Sequence, residues 1–445
     1  MQFTDTYAID SIKYYVSRCS ARSSKLRAGL GPSKLGWLRI KSKSRFKEEV
    51  FSTRICHVWE RFWPLEIGGL ERYIIGLSHF LWHNDPQMCF LLITGRMKLA
   101  LLGKRIKKYE DAGWLKVYRL GPNIVGVIDN VFLNTLHSRL KTLENMSLTA
   151  LYHEAVRWDE MREVDVFHVH GIWGDLQYAK MGVLLSRHFE KPLVISLHGS
   201  FVGSPENGGM PLESPEIRKI LATDAGAIIT YSPEVLGTLK KMGFERKSHY
   251  IPNFVDTASF SRRGIPCQRK GTRIVSVSRL VTGLDQDIII RAFDRVHAIV
   301  PQATLQIVGY GEMYEPLKRL VTQLKLSGQV SFVGRQTDVR SFLWNSDIFV
   351  ATNFGYMATL EAWAAGLAVI APDFGIMKDI IVDGENGILV PPNDPGKLAI
   401  AIVRLLKDSK LRETIASNGE KAAEEYDIRE VASRIARIYD SLRSS

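Results

Sequence analysis

From about residue 54 to its end, the chain alternates short apolar segments with amphipathic segments of helical length. This alternation predicts βαβ units, because two parallel strands must be joined by a crossover, and the crossover helix then covers one face of the sheet. In order along the chain, the predicted strands are 54–60, 88–94, 164–171, 192–199, 225–232, 248–253, 273–280, 303–311, 330–334, 347–352, 368–373 and 387–392. The predicted helices in the second half include 287–299, 313–325 and 428–443. The sequence therefore predicts the α/β fold class.

The alternation is interrupted over residues 256–272, "DTASFSRRGIPCQRKGT", where Gly, Pro and basic residues are frequent. We interpret this segment as a linker. A chain of 445 residues usually forms more than one domain, at about 100–200 residues each. We therefore predict two doubly wound, Rossmann-like domains that face each other across a cleft. The predicted parts are a basic N-terminal extension over 1–50, an N-terminal domain over 51–255, the linker, a C-terminal domain over 273–427 and a closing helix over 428–445.

The composition is that of an ordinary soluble globular protein, with 45% apolar and 24% charged residues. The sequence has no charge-free apolar run of the roughly 18 residues that a membrane-spanning helix needs, and its first residues lack the apolar core of a secretory signal. The four cysteines are far apart and form no CxxC pair. This spacing indicates free thiols in a reducing compartment, and neither a disulfide framework nor a zinc site. We expect the protein to be cytoplasmic.

The net charge of +12 is unevenly distributed, because residues 1–50 alone supply over half of the excess. A second basic stretch, "RMKLALLGKRIKKY" (96–109), interleaves apolar and basic residues. Both segments could be solvated surfaces. They could also attach the protein to an anionic bilayer, where each basic residue contributes about 1 kcal/mol. We favour attachment to the inner face of the cell membrane, because it suits the function inferred below. Nucleic acid is not an expected partner, since no recognition motif accompanies the charge.

Several strand ends carry groups that could bind a ligand, and ligands of such sheets bind beyond the carboxyl ends of the strands. Gly68-Gly69 lies between a strand and a helix, where backbone N–H groups can approach a phosphate, although most such pairs are simple turns. Arg279 could grip a diphosphate with two nitrogens, or it could be an ordinary surface residue. His198 precedes a small Gly-Ser pair that leaves its imidazole accessible. Glu361 is the one acid in an Ala-rich helix, and acids are usually kept out of such a helix unless they bind something.

Other motifs give weaker signals. His168 and His170 stand two residues apart on a strand and so face the same side, which is more typical of residues beside a substrate than of a metal pair. The triplet "DQD" (285–287) could bind a metal, but Asp at the start of a helix is favoured by capping and by the helix dipole. Gly309 and Gly311 indicate a strand-end turn. The absence of a full GxGxxG after the first strand argues against a dinucleotide dehydrogenase.

Taken in order, these segments resemble the family 4 retaining glycosyltransferases, which have the GT-B fold. The resemblance runs from about residue 54 to the end, whereas residues 1–50 lie outside it and residues 96–155 fit it only loosely. The matching segments are "GGLERYIIGLSHFL", "VDVFHVHGIW", "KPLVISLHGSF", "IITYSPEVLGTL", "YIPNFVD", "VSRL…DIIIRAF", "LQIVGYGE", "VSFVG", "SDIFVAT", "LEAWAAGLAVIAPD", "VDGENGILVPPNDP" and "YDIREVASRIARIYDSL".

The resemblance implies that the second domain holds a nucleotide-diphosphate sugar and that the first binds a saccharide or lipid-linked acceptor. It implies that Gly68 and Gly69 approach the donor phosphates and that His198 contacts the donor sugar. It further implies that Arg279 neutralises the diphosphate leaving group, and that Glu361 accepts hydrogen bonds from the ribose hydroxyls. The remaining donor-binding positions implied by the resemblance are Gly309, Gly311, Asn353, Phe354, Gly355 and Leu360. Members of this family use no divalent metal, so neither a metal nor another cofactor is expected.

Three positions depart from the family pattern. Leu284 stands where the family has a Lys, and Asn353 stands where it has the first Glu of a pair. Phe254 replaces a residue that is mostly Gly. Loss of one cation from the leaving-group site commonly costs about 2.7–4 kcal/mol in the transition state. Lys378 and Arg335 are candidates to replace the missing cation.

Three functions remain open at this point. The first is an active, metal-independent glycosyltransferase that builds a surface polysaccharide, a lipopolysaccharide or a glycolipid. The second is a catalytically impaired homologue that binds a nucleotide sugar, or nothing, and supports a partner enzyme. The third is a nucleotide-sugar epimerase or hydrolase on the same two-domain fold, which the family 4 motifs make the least favoured of the three.

Overall fold

A computed structural model describes most of the chain from residue 52 onward. The described residues are 52–59, 69–95, 109–120, 148–149, 151–171, 177–198, 212, 214–265, 271–353 and 355–444. The predicted extension over 1–50 lies outside these ranges, as do nearly all of the second basic stretch, Gly68 and Phe354.

The described residues form fourteen named strands, nearly all of which follow apolar runs of the sequence. They are β1 (Thr53–Val58), β2 (Met88–Gly95), β3 (Tyr109–Asp111), β4 (Leu115–Leu120), β5 (Val166–His170), β6 (Leu193–Leu197), β7 (Ala225–Thr230), β8 (Ser248–Tyr250), β9 (Arg273–Val277), β10 (Thr304–Val308), β11 (Val330–Gly334), β12 (Ile348–Val350), β13 (Ala368–Pro372) and β14 (Ile388–Val390).

The α-helices alternate with these strands. They are α1 (Gly69–Asn84), α2 (Gln177–Phe189), α3 (Pro215–Thr223), α4 (Pro233–Lys241), α5 (Thr257–Phe260), α6 (Gln286–Ile299), α7 (Tyr314–Gln323), α8 (Arg340–Trp344), α9 (Tyr356–Ala364), α10 (Met377–Ile380), α11 (Pro395–Lys407), α12 (Ser409–Glu424) and α13 (Ile428–Arg443). Within the described residues, no helix combines the length and the apolar character that crossing a membrane would require.

The strands form two sheets. The first has the order β3-β4-β2-β1-β5-β6-β7-β8, and the second has the order β11-β10-β9-β12-β13-β14. The described pairs are parallel except for β3 with β4, which is antiparallel. In the second sheet the order reverses direction between β9 and β12, which is the point where ligands bind in doubly wound sheets. The predicted α/β class with parallel sheets is confirmed.

The contacts within the chain divide it into two compact units. One comprises residues 1–66, 78–168 and 177–192, and the other comprises 67–77, 169–176 and 193–445. The first unit buries apolar side chains of β1, β2 and β4, including Ile55, Phe90, Leu92 and Val117. The predicted domain bounds at 51–255 and 273–427 stay a prediction.

The second sheet is buried on both faces. Successive residues along a strand point to opposite faces, and both sets are apolar here. Ile274 and Ile348 lie in the apolar cluster that includes Phe293 of α6. The next residues along each strand, Val275 and Phe349, lie in a separate cluster that includes residues of α9. This two-sided burial fixes the register of β9 against β12 and thereby places the loops that follow them side by side.

The predicted linker over 256–272 has structure that the sequence pattern did not indicate. The predicted linker contains α5, whose N-terminal Asp256 accepts a hydrogen bond from the Ser259 backbone N–H at 2.9 Å. The carbonyl of Phe260 accepts a hydrogen bond from Trp344 Nε1 at 2.6 Å, so this part of the segment is anchored. The closing helix is confirmed with α13 at Ile428–Arg443, matching the predicted range of 428–443.

Candidate functional site

The loop that follows β9 carries Arg279 and is held by backbone hydrogen bonds to the loop that follows β10. Ser278 N donates to Val308 O at 3.1 Å, and Leu280 N donates to Tyr310 O at 3.1 Å. Met313 N in turn donates to Leu280 O at 2.8 Å. These bonds fix the backbone on both sides of Arg279.

Gly309 and Gly311 allow this close approach. A Cβ atom on Gly309 would lie 1.8 Å from Ser278 O, and its φ of +153° also favours glycine. A Cβ atom on Gly311 would lie 2.2 Å from Leu280 O. The space beside both residues is therefore filled by the backbone of the Arg279 loop, and the two predicted donor-binding glycines act here by shaping that loop.

Arg279 itself is exposed at this edge of the sheet, and its carbonyl accepts a hydrogen bond from Gln286 Nε2 at 2.6 Å. Leu284, where the family has a Lys, is 8% exposed and packs as an apolar residue. Lys378 and Arg335, named as possible replacements for that cation, are both exposed.

The loops that follow β9 and β12 meet through Asn353 and Asp285. The amide nitrogen of Asn353 donates a hydrogen bond to Asp285 Oδ2. Burial and the neighbouring Asp287 raise the pKa of Asp285, while the bond from Asn353 lowers it. Asp285 is the N-cap of α6 but makes no side-chain cap, so the capping interpretation of "DQD" is wrong for its first residue. Its carboxylate instead accepts the hydrogen bond from Asn353 and thereby joins the two loops.

Glu361 lies on α9 and is 5% exposed. One carboxylate oxygen, Oε1, accepts a hydrogen bond from Arg72 Nη1 at 3.0 Å. The other, Oε2, is buried and has no hydrogen-bond partner among the described residues. Burial raises the pKa of Glu361, and Asp338 raises it further, while Arg72 opposes both. The carboxylate is thus half satisfied, which is costly for a buried charged group.

Two further buried hydroxyls close to Glu361 in sequence also lack a hydrogen-bond partner within the described part of the chain. They are Thr352 Oγ1, at the end of β12, and Tyr356 OH, in the first turn of α9. A buried polar group without a partner costs about 1–3 kcal/mol. Unsatisfied groups such as Glu361 Oε2 and Thr352 Oγ1 are what a binding site for a polar ligand would leave in the unliganded protein, whereas the Tyr356 ring packs beside Tyr231 and Tyr426.

The first turn of α1 lies against α9. A Cβ atom on Gly69 would lie 3.3 Å from Met357 Cγ, and Arg72 reaches Glu361 from the same turn of α1. Sequence reasoning missed Arg72. A signal was present, since a cation in the first turn of a helix opposes the helix dipole and is therefore unfavourable there without a compensating contact.

His198 follows β6 and is paired with a second histidine. Its Nε2 lies 3.0 Å from His170 Nδ1, and its ring meets the edge of Tyr73 at a centroid distance of 5.1 Å. Burial lowers the pKa of His198 to about 3, so the imidazole is neutral near pH 7. His168 lies instead against His57, with ring centroids 5.4 Å apart. Sequence reasoning named both histidines of β5 but did not pair His170 with His198, although the two stand at the ends of consecutive strands.

Three other predicted positions have clear packing roles. Phe254 is 5% exposed and stacks on Tyr73 at 4.9 Å, and its ring occupies the space beside Gly76, where a Cβ atom would lie 3.1 Å from it. Leu360 is fully buried in the apolar cluster of α9, so its side chain supports the helix and does not line a site. Gly355 is the N-cap of α9, and its carbonyl accepts a hydrogen bond from Thr359 N at 2.8 Å.

Two family descriptions match consecutive parts of the sequence. Residues 67–259 match "Glycosyltransferase Family 4", and residues 259–422 match "Glycosyl transferases group 1". Together they cover residues 67–422, which include Arg72, His198, Arg279 and Glu361 but not β1 of the first sheet.

Two of the curated relatives are glycosyltransferases named for phosphatidylinositol or lipopolysaccharide. The chain is 25% identical over 314 residues to the phosphatidyl-myo-inositol mannosyltransferase of Mycolicibacterium smegmatis, covering 66% of this chain and 75% of that protein. It is 29% identical over 201 residues to the lipopolysaccharide core biosynthesis glycosyltransferase LpsE of Rhizobium meliloti, covering 44% of this chain and 58% of that protein.

Solved structures show the same fold at low identity. Anabaena Alr3699/HepE in complex with UDP and glucose has a TM-score of 0.62 and 20% identity, covering 87% of this chain and 100% of the other. Sucrose-phosphate synthase from Thermosynechococcus elongatus has a TM-score of 0.66 and 19% identity, covering 88% of this chain and 99% of the other.

Proposed function

Because the chain belongs to the family 4 glycosyltransferases, we propose that it transfers a sugar from a nucleotide-diphosphate sugar to a saccharide or lipid-linked acceptor, with retention and without a metal ion. The single observation that carries the donor assignment is the half-satisfied carboxylate of Glu361, whose Oε2 is buried and finds no partner in the described part of the chain. Ribose hydroxyls are donors that would complete it.

The leaving group is neutralised by side chains in this proposal. Arg279 is exposed at the carboxyl end of β9, beside the strand-order reversal, where a diphosphate would lie. Its guanidinium offers five N–H donors in a planar fork that suits phosphate oxygens. Backbone bonds to the loop that follows β10 hold the main chain on both sides of Arg279, so the base of this side chain needs no reorganisation, which favours transition-state stabilisation.

Retention follows if the acceptor attacks from the face that the diphosphate leaves. The bond between the anomeric carbon and the phosphate oxygen breaks, the bond to the acceptor oxygen forms on the same face, and the acceptor's proton passes to the departing phosphate. His198 is a poor candidate for the base, because an imidazole with a pKa of about 3 holds a proton weakly at neutral pH. We assign it instead a hydrogen bond to the donor sugar, with His170 fixing its orientation.

The acceptor class is proposed from the relatives. One is named a phosphatidyl-myo-inositol mannosyltransferase and another acts in lipopolysaccharide core synthesis, and both names indicate lipid-linked acceptors for those proteins. We propose that this chain likewise works in surface polysaccharide or glycolipid synthesis, at the cytoplasmic face of the membrane.

A donor panel tests the proposal. Release of nucleoside diphosphate from UDP- and GDP-sugars is measured with and without lipid and saccharide acceptors, and in the presence of EDTA. We expect turnover with one donor, unchanged by EDTA, and retention of anomeric configuration in the product by NMR. Glu361→Gln keeps the shape of the side chain but removes its charge, and should weaken donor binding about 10- to 100-fold, since hydrogen bonds to charged groups contribute about 1.5–3 kcal/mol.

The outcomes separate the alternatives. Binding of a nucleotide sugar without hydrolysis or transfer would favour the catalytically impaired homologue, above all if Leu284→Lys then gained activity. The absence of binding to any nucleotide would overturn the proposal. Loss of turnover in EDTA that added metal restores would contradict only its metal-independent part.

A further inference from the structure

We propose that Arg72 is a donor-binding residue whose guanidinium contacts the diphosphate of the bound nucleotide sugar. The inference rests on the proposed function and deepens it, because it names a second cation for the leaving group. Neither the sequence motifs nor the named relatives assign Arg72 a role.

The position of Arg72 is the first support. Its Nη1 lies 3.0 Å from Glu361 Oε1, and the two side chains are 25% and 6% exposed. It stands in the first turn of α1, which packs on α9 where Gly69 meets Met357. A positive charge in the first turn opposes the dipole of its own helix, so the ion pair with Glu361 offsets an otherwise unfavourable position.

The unused hydrogen-bonding capacity is the second support. A guanidinium has five N–H donors, and within the described ranges the bond to Glu361 occupies one of them. Glu361 likewise keeps Oε2 unpartnered in a buried position. The pair therefore offers donors and an acceptor to the same ligand. A nucleoside diphosphate needs both, since its ribose donates hydrogen bonds and its phosphates accept them.

Covalent continuity of the ligand links the two halves of the site. If Glu361 accepts from the ribose hydroxyls, the phosphates attached to that ribose lie within reach of the cation bonded to the same carboxylate. Leu284 is buried and uncharged, so the loop that follows β9 presents Arg279 without a neighbouring lysine. Arg72 would supply a second positive charge from α1.

A simpler role for Arg72 must be separated from this one. The guanidinium could only neutralise and orient Glu361, acting as a structural partner of a buried carboxylate. In that case its removal would weaken ribose binding, and nucleosides and nucleotides would lose affinity by the same factor. Contact with the diphosphate predicts instead a loss that depends on the phosphates.

The test compares ligands with and without phosphates on two Arg72 variants. Isothermal titration of the full chain near neutral pH measures UDP against uridine, and GDP against guanosine, for wild type, Arg72→Gln and Arg72→Lys. We expect Arg72→Gln to weaken the preferred diphosphate about 10- to 100-fold, as for a hydrogen-bonded ion pair, and the matching nucleoside less than about threefold. Arg72→Lys should recover part of the diphosphate affinity, because it keeps the charge but loses the fork.

A matched control addresses general electrostatics. Arg437→Gln removes one positive charge from α13, where the side chain is 70% exposed and only 4.0 Å from Glu430, and should leave both affinities unchanged. Thermal unfolding of each variant checks that the fold is intact.

Each result decides something. Equal losses for nucleoside and diphosphate in Arg72→Gln, or no loss for either, would overturn the Arg72 inference while the proposed function stands. If wild type bound neither ligand of either pair, the proposed function and the inference would fall together.

Discussion

The loops that follow β9 and β12 lie at the same edge of one sheet, but they treat their polar groups differently. The β9 loop is held by backbone bonds to the β10 loop, and Gly309 leaves only enough room for the carbonyl of Ser278. The β12 segment instead keeps buried polar atoms, on Thr352 and Glu361, that have no hydrogen-bond partner among the residues that the structure describes. The first loop is satisfied by its own backbone bonds, whereas the second keeps capacity to bind a polar ligand.

Because of this difference, we expect mutations in the β9 loop to change stability and mutations in the β12 segment to change ligand affinity. Changes that crowd the β9 loop should lower the free energy of unfolding. Changes that remove an unpartnered group of the β12 segment should cost little stability, or even add some, and should appear as lost affinity. The predictions below follow that division, from the largest expected effect to the smallest.

Gly309→Ala should have the largest effect on stability. The new Cβ would lie 1.8 Å from Ser278 O in a backbone conformation that favours glycine, so both loops would have to separate. We expect a loss of about 3–5 kcal/mol in urea denaturation, the range of severe core disruptions. Gly328→Ala is the matched control, since nothing lies within 4 Å of its added Cβ, and a comparable loss there would remove the steric explanation.

Thr352→Val tests the unpartnered side directly. It replaces a buried hydroxyl without a partner by a methyl group of similar size, so the unliganded protein should become as stable or more stable. Thr230→Val is the matched change at a buried threonine whose hydroxyl accepts a hydrogen bond from Ser232 N at 3.2 Å. That variant should lose about 1–2 kcal/mol in the same measurement. If both variants lost the same free energy of unfolding, the Thr352 hydroxyl would be stabilised in the unliganded protein as the Thr230 hydroxyl is, and the distinction between the two would be wrong.

Asn353→Ala breaks the bond that joins the two loops. Asp285 is partly buried and would lose its amide donor, so we expect a loss of about 1 kcal/mol in the free energy of unfolding, reduced by its access to water. The affinity for the nucleotide sugar should fall as well, because the two loops beside the proposed site are no longer joined by a hydrogen bond. A double-mutant cycle with Asp285→Ala measures the coupling, and additive effects would mean that the bond contributes nothing.

The pH dependence of stability gives the smallest expected effect. Burial raises the pKa of Glu361 above its ordinary value of 4.5. The contribution of this group is therefore fully present below about pH 4.5, where the carboxyl is protonated in both states, and is lost as pH rises through the folded pKa. Glu361→Gln lacks this titration, so its stability relative to wild type should increase as pH rises above that value. A difference that stayed constant, or fell, in denaturation over this range would contradict a raised pKa.

Much of the fold follows from local patterns, and the site follows less. The strands of the second sheet and α13 are visible in the sequence because both faces of that sheet are apolar and the helix has a sustained amphipathic pattern. β3 was missed, since its three residues are "YED" and it pairs at the edge in an antiparallel sense. Its stability comes from β4, not from its own composition.

The site shows the same division between local and long-range information. Glu361 was identifiable because a lone acid in an Ala-rich helix is locally unfavourable. Its bond to Arg72 joins residues 289 positions apart, and the bond from Asn353 to Asp285 joins residues 68 apart. Neither partner follows from spacing along the chain, since only the packing of α1 on α9 and the register of β9 against β12 bring them together.

The stacking of Phe254 on Tyr73, over the bare face of Gly76, has a consequence for how this enzyme can diverge. Removing the aromatic ring alone leaves a void, and a methyl group added at Gly76 alone would lie 3.1 Å from that ring, which would have to shift by a few tenths of an ångström. Related enzymes with a small residue at the position of Phe254 should therefore carry a bulkier one at the position of Gly76. Exchanging one of these segments between relatives should succeed only when both positions change together.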